Sequence, residues 1–139
     1  GDDLLYNLTN LNAELDQARC SIIGISNDLK FTGYLDSRVR SRLGQEDLVF
    51  KPYNARQLQD ILSERAAVGI LEDVLSEAVI RLCSALAAQE HGDARRALNL
   101  LRVSTEKAEQ CGETVVLERH VRMAQNQIEC DQFLARIHI

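Results

Sequence analysis

The sequence predicts a mainly helical chain with a small parallel β remnant ahead of a four-helix unit, and three observations lead there. From residue 53 onward, apolar residues recur at helical spacing between recognisable start and stop signals. Before that point only two short stretches, residues 20–26 and 47–51, read as strands. Two strands cannot bury both faces of a parallel sheet, so they look like the back end of a larger α/β layer. The third observation is the run E-H-G-D-A-R-R-A-L-N-L-L-R at residues 90–102, which opens a helix with two arginines. A helix N-terminus carries partial positive charge and ordinarily attracts Asp or Glu there, so the pair breaks a local rule.

Taken in order, the chain enters an amphipathic helix almost at once, with Leu4, Leu8, Leu11 and Leu15 on one face and Leu5 widening it. The run C-S-I-I-G-I-S at residues 20–26 is continuously apolar, as in a strand covered on both faces. Residues 34–43, Y-L-D-S-R-V-R-S-R-L, predict a short helix capped by Asp36 or Ser37, with three arginines at alternate positions. After the second strand comes the only proline, Pro52, and then Asn54-Ala55-Arg56-Gln57, a capping box that starts a helix with Leu58, Ile61 and Leu62 inward. A second helix is expected from about Ser76, burying Val79, Leu82, Cys83 and Leu86. Asp93 caps the third, whose inward face holds Ala94, Ala97, Leu98 and Leu101 and which runs to about Gln110. Gly112 stops it, and a fourth begins near Leu117 with Val121, Ala124 and Ile128 aligned. Residues 53–139 thus form a unit able to bury its own core, with neighbouring helices antiparallel across short loops.

Composition narrows the function. With 139 residues, 45% of them hydrophobic, the chain suits one compact domain. Its net charge of −5 gives no basic footprint for nucleic acid within these residues. Cys20, Cys83, Cys111 and Cys130 are far apart with no C-x-x-C, and read as reduced, mostly buried thiols rather than a disulfide or zinc set. His91, His120 and His138 lack ligand spacing and read as surface or capping residues, so no metal site is expected. No apolar run spans a bilayer and no signal peptide is present, which points to a cytoplasmic protein without membrane contact.

Three places could carry chemistry. Asn27 and Asp28 end the first apolar run, at the strand edge where open α/β sheets bind ligands, although N-D after a strand is also an ordinary turn. The arginines of residues 34–43 are a solvated basic turn unless an anion meets them. Arg95 and Arg96, beside the free N–H groups of a helix N-terminus, have the makings of a phosphate site, against the plainer alternative of two solvated side chains.

These motifs together resemble the AAA+ ATPases, in the form of the archaeal replication initiators and their origin-recognition and cell-division-control relatives. L-A-A-Q-E-H-G-D-A-R-R-A-L-N-L-L-R at residues 86–102 resembles that family's sensor-2 helix, and S-I-I-G-I-S-N-D-L-K-F at residues 21–31 its sensor 1. The resemblance implies that Arg95 reaches nucleotide phosphates from a helical lid and that Asn27 orients the γ-phosphate or the attacking water. It also implies an arginine finger for a neighbouring subunit's site. Arg38 aligns with the family's R-V-K-S form of that box and Arg42 with the S-R-L form, the two standing level and ahead of Arg40. By the same resemblance, residues 1–52 are the rear of the nucleotide-binding core and residues 53–139 the lid.

The sequence holds no G-x-x-x-x-G-K-[ST] and no D-E pair after a strand, and it starts without methionine. The chain is therefore expected to be an internal piece of an initiator, inactive alone and without tight binding of ATP. ATP or ADP with Mg²⁺, origin DNA, and neighbouring initiator or helicase subunits are then the ligands of the longer protein, which would associate with the nucleoid. Self-association through an exposed sheet edge is also expected. A clamp-loader or helicase-loader ATPase, and a free-standing helical interaction module derived from such a lid, are the alternatives.

Overall fold

In a computed structural model that describes residues 2–43 and 46–137, the chain forms seven helices arranged in two compact units, residues 1–50 and 51–139. The first unit holds α1 (Asp2–Glu14), α2 (Phe31–Tyr34) and α3 (Ser37–Arg42), with α1 packed on α3 and, among the described residues, only Leu35 and Val39 buried. Asp36, not Ser37, caps α3, its carboxylate accepting from the Arg38 N–H at 2.9 Å.

The expected β remnant is absent from the described residues. The stretches at 20–26 and 47–51 have no regular secondary structure and pair with no strand, and Ile23 and Ile25 are 89% and 96% exposed. A strand buried on both faces gains its stability from neighbours that satisfy its N–H and C=O groups, and two short runs that do not pair with each other provide none. The sheet edge expected to drive self-association is missing with it. Among the described residues the one bridge joins Leu75 to Val116, in the second unit.

That second unit is built as the caps dictate. α4 (Ala55–Gly69) starts with a complete capping box: the Asn54 side chain accepts from the Gln57 N–H, and the Gln57 side chain accepts from the Asn54 N–H. Ser76 caps α5 (Glu77–Glu90) and Asp93 caps α6 (Ala94–Gln110). Gly112, at φ 71°, closes α6 with the left-handed turn that a side chain would resist, and α7 (Glu118–Ile137) follows. Helices α5 and α6 form the centre, each packing on the other and on α4 and α7. Their core is Leu58 and Leu62 from α4, Val79 and Cys83 from α5, Ala97 and Leu101 from α6, and Val121 and Ala124 from α7. Ile61, Leu82, Leu86 and Leu98 are half-buried at its margin.

Among single residues, one expectation needs correcting and one is narrowed. Only Cys83 is buried; Cys20, Cys111 and Cys130 are exposed, because the first lies in the unpaired stretch, the second at the end of α6 and the third on the outer side of α7. Burial pushes the Cys83 thiol up to about 11. His120 is a capping residue but not a surface one. It is fully buried, and its Nδ1 accepts from the Leu117 N–H at 3.0 Å, so that a side chain in the first turn of α7 satisfies the donor just before it. Nε2 therefore carries the proton and faces Glu113 Oε2 at 3.4 Å, rather than accepting from Arg119 Nε at the same distance. Arg119 is itself ion-paired with Glu113. His138 lies outside the described residues.

Burial, with the Arg119 charge as a lesser cause, lowers the His120 pKa from its ordinary 6.5. The neutral imidazole thus contributes stability that is fully present above 6.5, the unfolded value, and is lost as pH falls towards the folded value. In urea denaturation the chain should lose stability between about pH 7.5 and about pH 5.5, and His120→Gln, which keeps an acceptor but does not titrate, should flatten that slope. An unchanged slope in the variant would assign the pH dependence to other groups.

Candidate functional site

The turn between α5 and α6 is where the rule-breaking arginines are placed. Gly92 sits at φ 61°, and a Cβ there would lie 2.5 Å from the Tyr53 carbonyl oxygen and 2.9 Å from Pro52 Cβ. The Tyr53 N–H donates to the Gly92 carbonyl at 2.9 Å. Pro52 and Tyr53, which precede α4, are therefore seated on the turn that starts α6, and only glycine leaves room for them. Apolar periodicity gives Gly92 no role. Its signal was available in G-D, a residue free to adopt positive φ directly ahead of a capping aspartate.

From this turn the order of residues sets the geometry. The Asp93 carboxylate accepts from the Arg95 N–H at 2.8 Å, offsetting part of the positive helix end. Arg96 Nη1 reaches back to Glu90 Oε2 at 3.2 Å, linking the end of α5 to the start of α6. Arg95 is exposed, and its guanidinium has no hydrogen-bond or ion-pair partner among the described residues. The two arginines are adjacent in sequence yet unequal: one is held by protein and one is available. A cleft of about 180 Å³ at this corner is lined by Glu90, Arg95, Arg96, Asn99, Gln125 and Glu129. It mixes both charges, so the cleft as a whole does not favour an anion, and only the unpaired Arg95 guanidinium and the helix end could meet one.

The other candidates lie in the first unit. Asn27 is exposed in the bend that leads to α2, and its amide makes no hydrogen bond among the described residues. Asp28 is a turn residue, its carboxylate accepting from the Lys30 N–H at 2.8 Å and its own N–H donating to Ser26 Oγ at 3.1 Å. On α3, Arg38 forks onto Asp36, with Nε to Oδ1 at 3.2 Å and Nη2 to Oδ2 at 2.9 Å. This pair holds the Asp36 carboxyl down at about 2. Arg40 turns back on its own unit, donating to the carbonyls of Gly33 and Leu35 at 3.0 and 3.4 Å. Arg38 and Arg42 are brought together over the ring of Tyr6 on α1, at 5.5 and 5.2 Å from its centroid. Sequence reasoning did not single out Tyr6. Among the described residues no group of three or more His, Cys, Asp or Glu side chains could hold a metal ion, and no helix is long and apolar enough to cross a membrane.

Residues 59–126 match the family described as the Cdc6 AAA+ ATPase-type lid domain. Over 134 residues, 96% of the chain, it is 60% identical to an ORC1-type DNA replication protein of Methanoculleus marisnigri, and over 131 residues, 94% of the chain, 61% identical to one of Thermococcus kodakarensis. These matches cover 31% and 32% of the relatives, so the chain spans about a third of their length. Among solved structures it resembles the Aeropyrum pernix ORC1 protein in complex with DNA, with a TM-score of 0.79 and 51% identity over 94% of this chain and 33% of that one. It also resembles Cdc6p from Pyrobaculum aerophilum, with a TM-score of 0.76 and 25% identity over 91% and 36%. The helical unit is thus of the class that forms lids in AAA+ ATPases. Within that class, the chain is similar to the archaeal ORC1-type DNA replication proteins over the third of their length that it spans.

The Gly92 turn gives a direct stability prediction. Gly92→Ala both places a side chain in the left-handed region and drives it into Tyr53, so it should lower the unfolding free energy of the chain by about 2 kcal/mol or more. Asp93→Ala, which loses only a cap, should cost about 1 kcal/mol. Urea denaturation of both variants checks this. A Gly92→Ala cost no larger than that of Asp93→Ala would mean that Pro52 and Tyr53 are not seated on the turn.

Proposed function

We propose that this chain supplies the sensing and finger residues of the ATP site in an ATP-dependent initiator of DNA replication that binds origin DNA. In this reading residues 1–52 are the rear of the nucleotide-binding core and residues 53–139 the lid. Arg95 is the lid residue that contacts phosphate, Asn27 the residue that orients the γ-phosphate or the attacking water, and Arg38 or Arg42 the finger presented to a neighbouring subunit. Bound ATP supplies the phosphoanhydride. The residues of this chain supply charge and orientation around it, which is the main protein contribution to phosphoryl transfer. The remaining parts of such a site, a phosphate-cradling P-loop and the carboxylates that hold Mg²⁺, have no counterpart in these residues.

One observation carries the assignment: of two adjacent arginines in the first turn of α6, Arg96 is taken up by Glu90 whereas Arg95 has no partner among the described residues. An unpaired guanidinium at a positive helix end is destabilising unless an anion meets it, and phosphate fits both the guanidinium and the free N–H groups. Its position on the lid would make the contact depend on lid closure, so that nucleotide state and lid position bias each other. The DNA partner rests on kinship, since the Aeropyrum pernix relative was solved with DNA. Neighbouring initiator or helicase subunits and a place on the nucleoid follow from the same reading.

The test is nucleotide binding by the full-length protein and by this chain, each with Arg95→Ala and Arg96→Ala. A charge-assisted hydrogen bond contributes about 1.5–3 kcal/mol, so Arg95→Ala should weaken ATP binding by the full-length protein roughly ten- to hundredfold, with the fold intact. Arg96→Ala should have a smaller effect, and this chain alone should bind ATP weakly in every form. A larger loss with Arg96→Ala would reverse the assignment. Tight binding by this chain would contradict its being only part of the site.

A further inference from the structure

Tyr6 is one of only three tyrosines in a chain with 4% aromatic residues, yet two of the three arginines of α3 converge on it. The guanidinium carbons of Arg38 and Arg42 lie 5.5 and 5.2 Å from its ring centroid, within the range of cation–π attraction. The two arginines are four residues apart and so share the face of α3 that packs on α1, whereas Arg40 is tied to the carbonyls of Gly33 and Leu35. They differ in one further respect. Arg38 is also forked onto Asp36, whereas the guanidinium of Arg42 has no hydrogen-bond or ion-pair partner among the described residues.

We infer that Tyr6 is a positioning residue for the arginine box: its ring holds Arg38 and Arg42 side by side on one face of α3, poised for a phosphate that arrives from outside the chain. The inference rests on the reading of Arg38 and Arg42 as the finger candidates. Its physics is one of graded attraction. A long, exposed arginine loses rotamer freedom when it engages an anion, and a ring that already restricts the side chain lowers that loss. The cation–π attraction is weaker than a charge-assisted hydrogen bond to phosphate, so the ring holds the guanidinium while the site is empty and yields it when phosphate arrives. Of the two, Arg42 is the one that has only the ring to leave. Arg38 would have to give up the Asp36 fork as well.

The experiment compares Tyr6→Phe, which keeps the ring face, with Tyr6→Leu, which keeps apolar bulk without it, alongside Arg38→Ala and Arg42→Ala. In the full-length protein, ATP turnover is measured at rising protein concentration, with ATP affinity measured separately. Tyr6→Leu should lower kcat about three- to tenfold with ATP affinity unchanged, Tyr6→Phe should restore it, and Arg42→Ala should lower it at least as far. In the 139-residue chain, the side-chain protons of Arg38 and Arg42 should show ring-current shifts in NMR that persist in Tyr6→Phe and vanish in Tyr6→Leu. Full turnover in Tyr6→Leu while Arg42→Ala or Arg38→Ala is impaired would overturn the role of Tyr6 and leave the finger reading standing. Arginine shifts that do not depend on residue 6 would overturn it as well. Full turnover in both arginine variants would remove the finger reading itself, and the positioning role with it.

Discussion

Of the glycines in the helical unit, Gly92 is the one whose missing side chain the packing requires. Its left-handed backbone lets the chain end α5 and begin α6 within a few residues, and the missing side chain is what allows the Tyr53 carbonyl and Pro52 to close over the turn. The hydrogen bond from the Tyr53 N–H to the Gly92 carbonyl then ties the start of α4 to the start of α6. Asp93 can cap α6 only because the turn presents it there, and Arg95 has its exposed place in the first turn only because Asp93 caps one residue before the helix. A motif that reads in sequence as G-D-A-R-R is physically a turn, a cap and a charged first turn, each requiring the one before it.

The adjacent arginines show how local geometry separates residues that composition makes equivalent. Both interrupt the charge pattern expected of a helix N-terminus. Glu90, at the end of α5, resolves the conflict for Arg96 and leaves Arg95 unresolved. A similar division appears on α3, where Arg40 is spent on backbone carbonyls and Arg38 and Arg42 are displayed over one ring. Arg95 in the second unit and Arg42 in the first are left without a protein anion among the described residues, whereas Arg38 also holds the Asp36 fork.

What could be read from sequence follows from the range of the interactions involved. The helix starts at Asn54, Ser76 and Asp93 and the stop at Gly112 were legible because caps act within three or four residues. The apolar periodicity likewise placed Leu58, Cys83, Ala97 and Val121 in the core. The strands were misjudged because an apolar run specifies only a strand's capacity to be buried, whereas pairing depends on neighbours elsewhere. Cys111 and Cys130 were misplaced for a related reason: lying near an apolar pattern does not fix which side of it faces the core. The burial of His120, the convergence on Tyr6 and the packing of Tyr53 against Gly92 are contacts across turns or between helices, for which periodicity carries no signal. The identities of Asn27, Arg38, Arg42 and Arg95 as candidates came from family resemblance. Chemistry alone left each with an ordinary structural alternative.

The claim that this family piece contributes Arg95 as its lid contact to the nucleotide is tested most directly by a structure of the full-length protein bound to a non-hydrolysable ATP analogue. The account predicts the Arg95 guanidinium within about 3 Å of a phosphate oxygen while Arg96 remains on Glu90. Finding Arg96 on the phosphates, or both arginines in solvent with the lid closed, would contradict it.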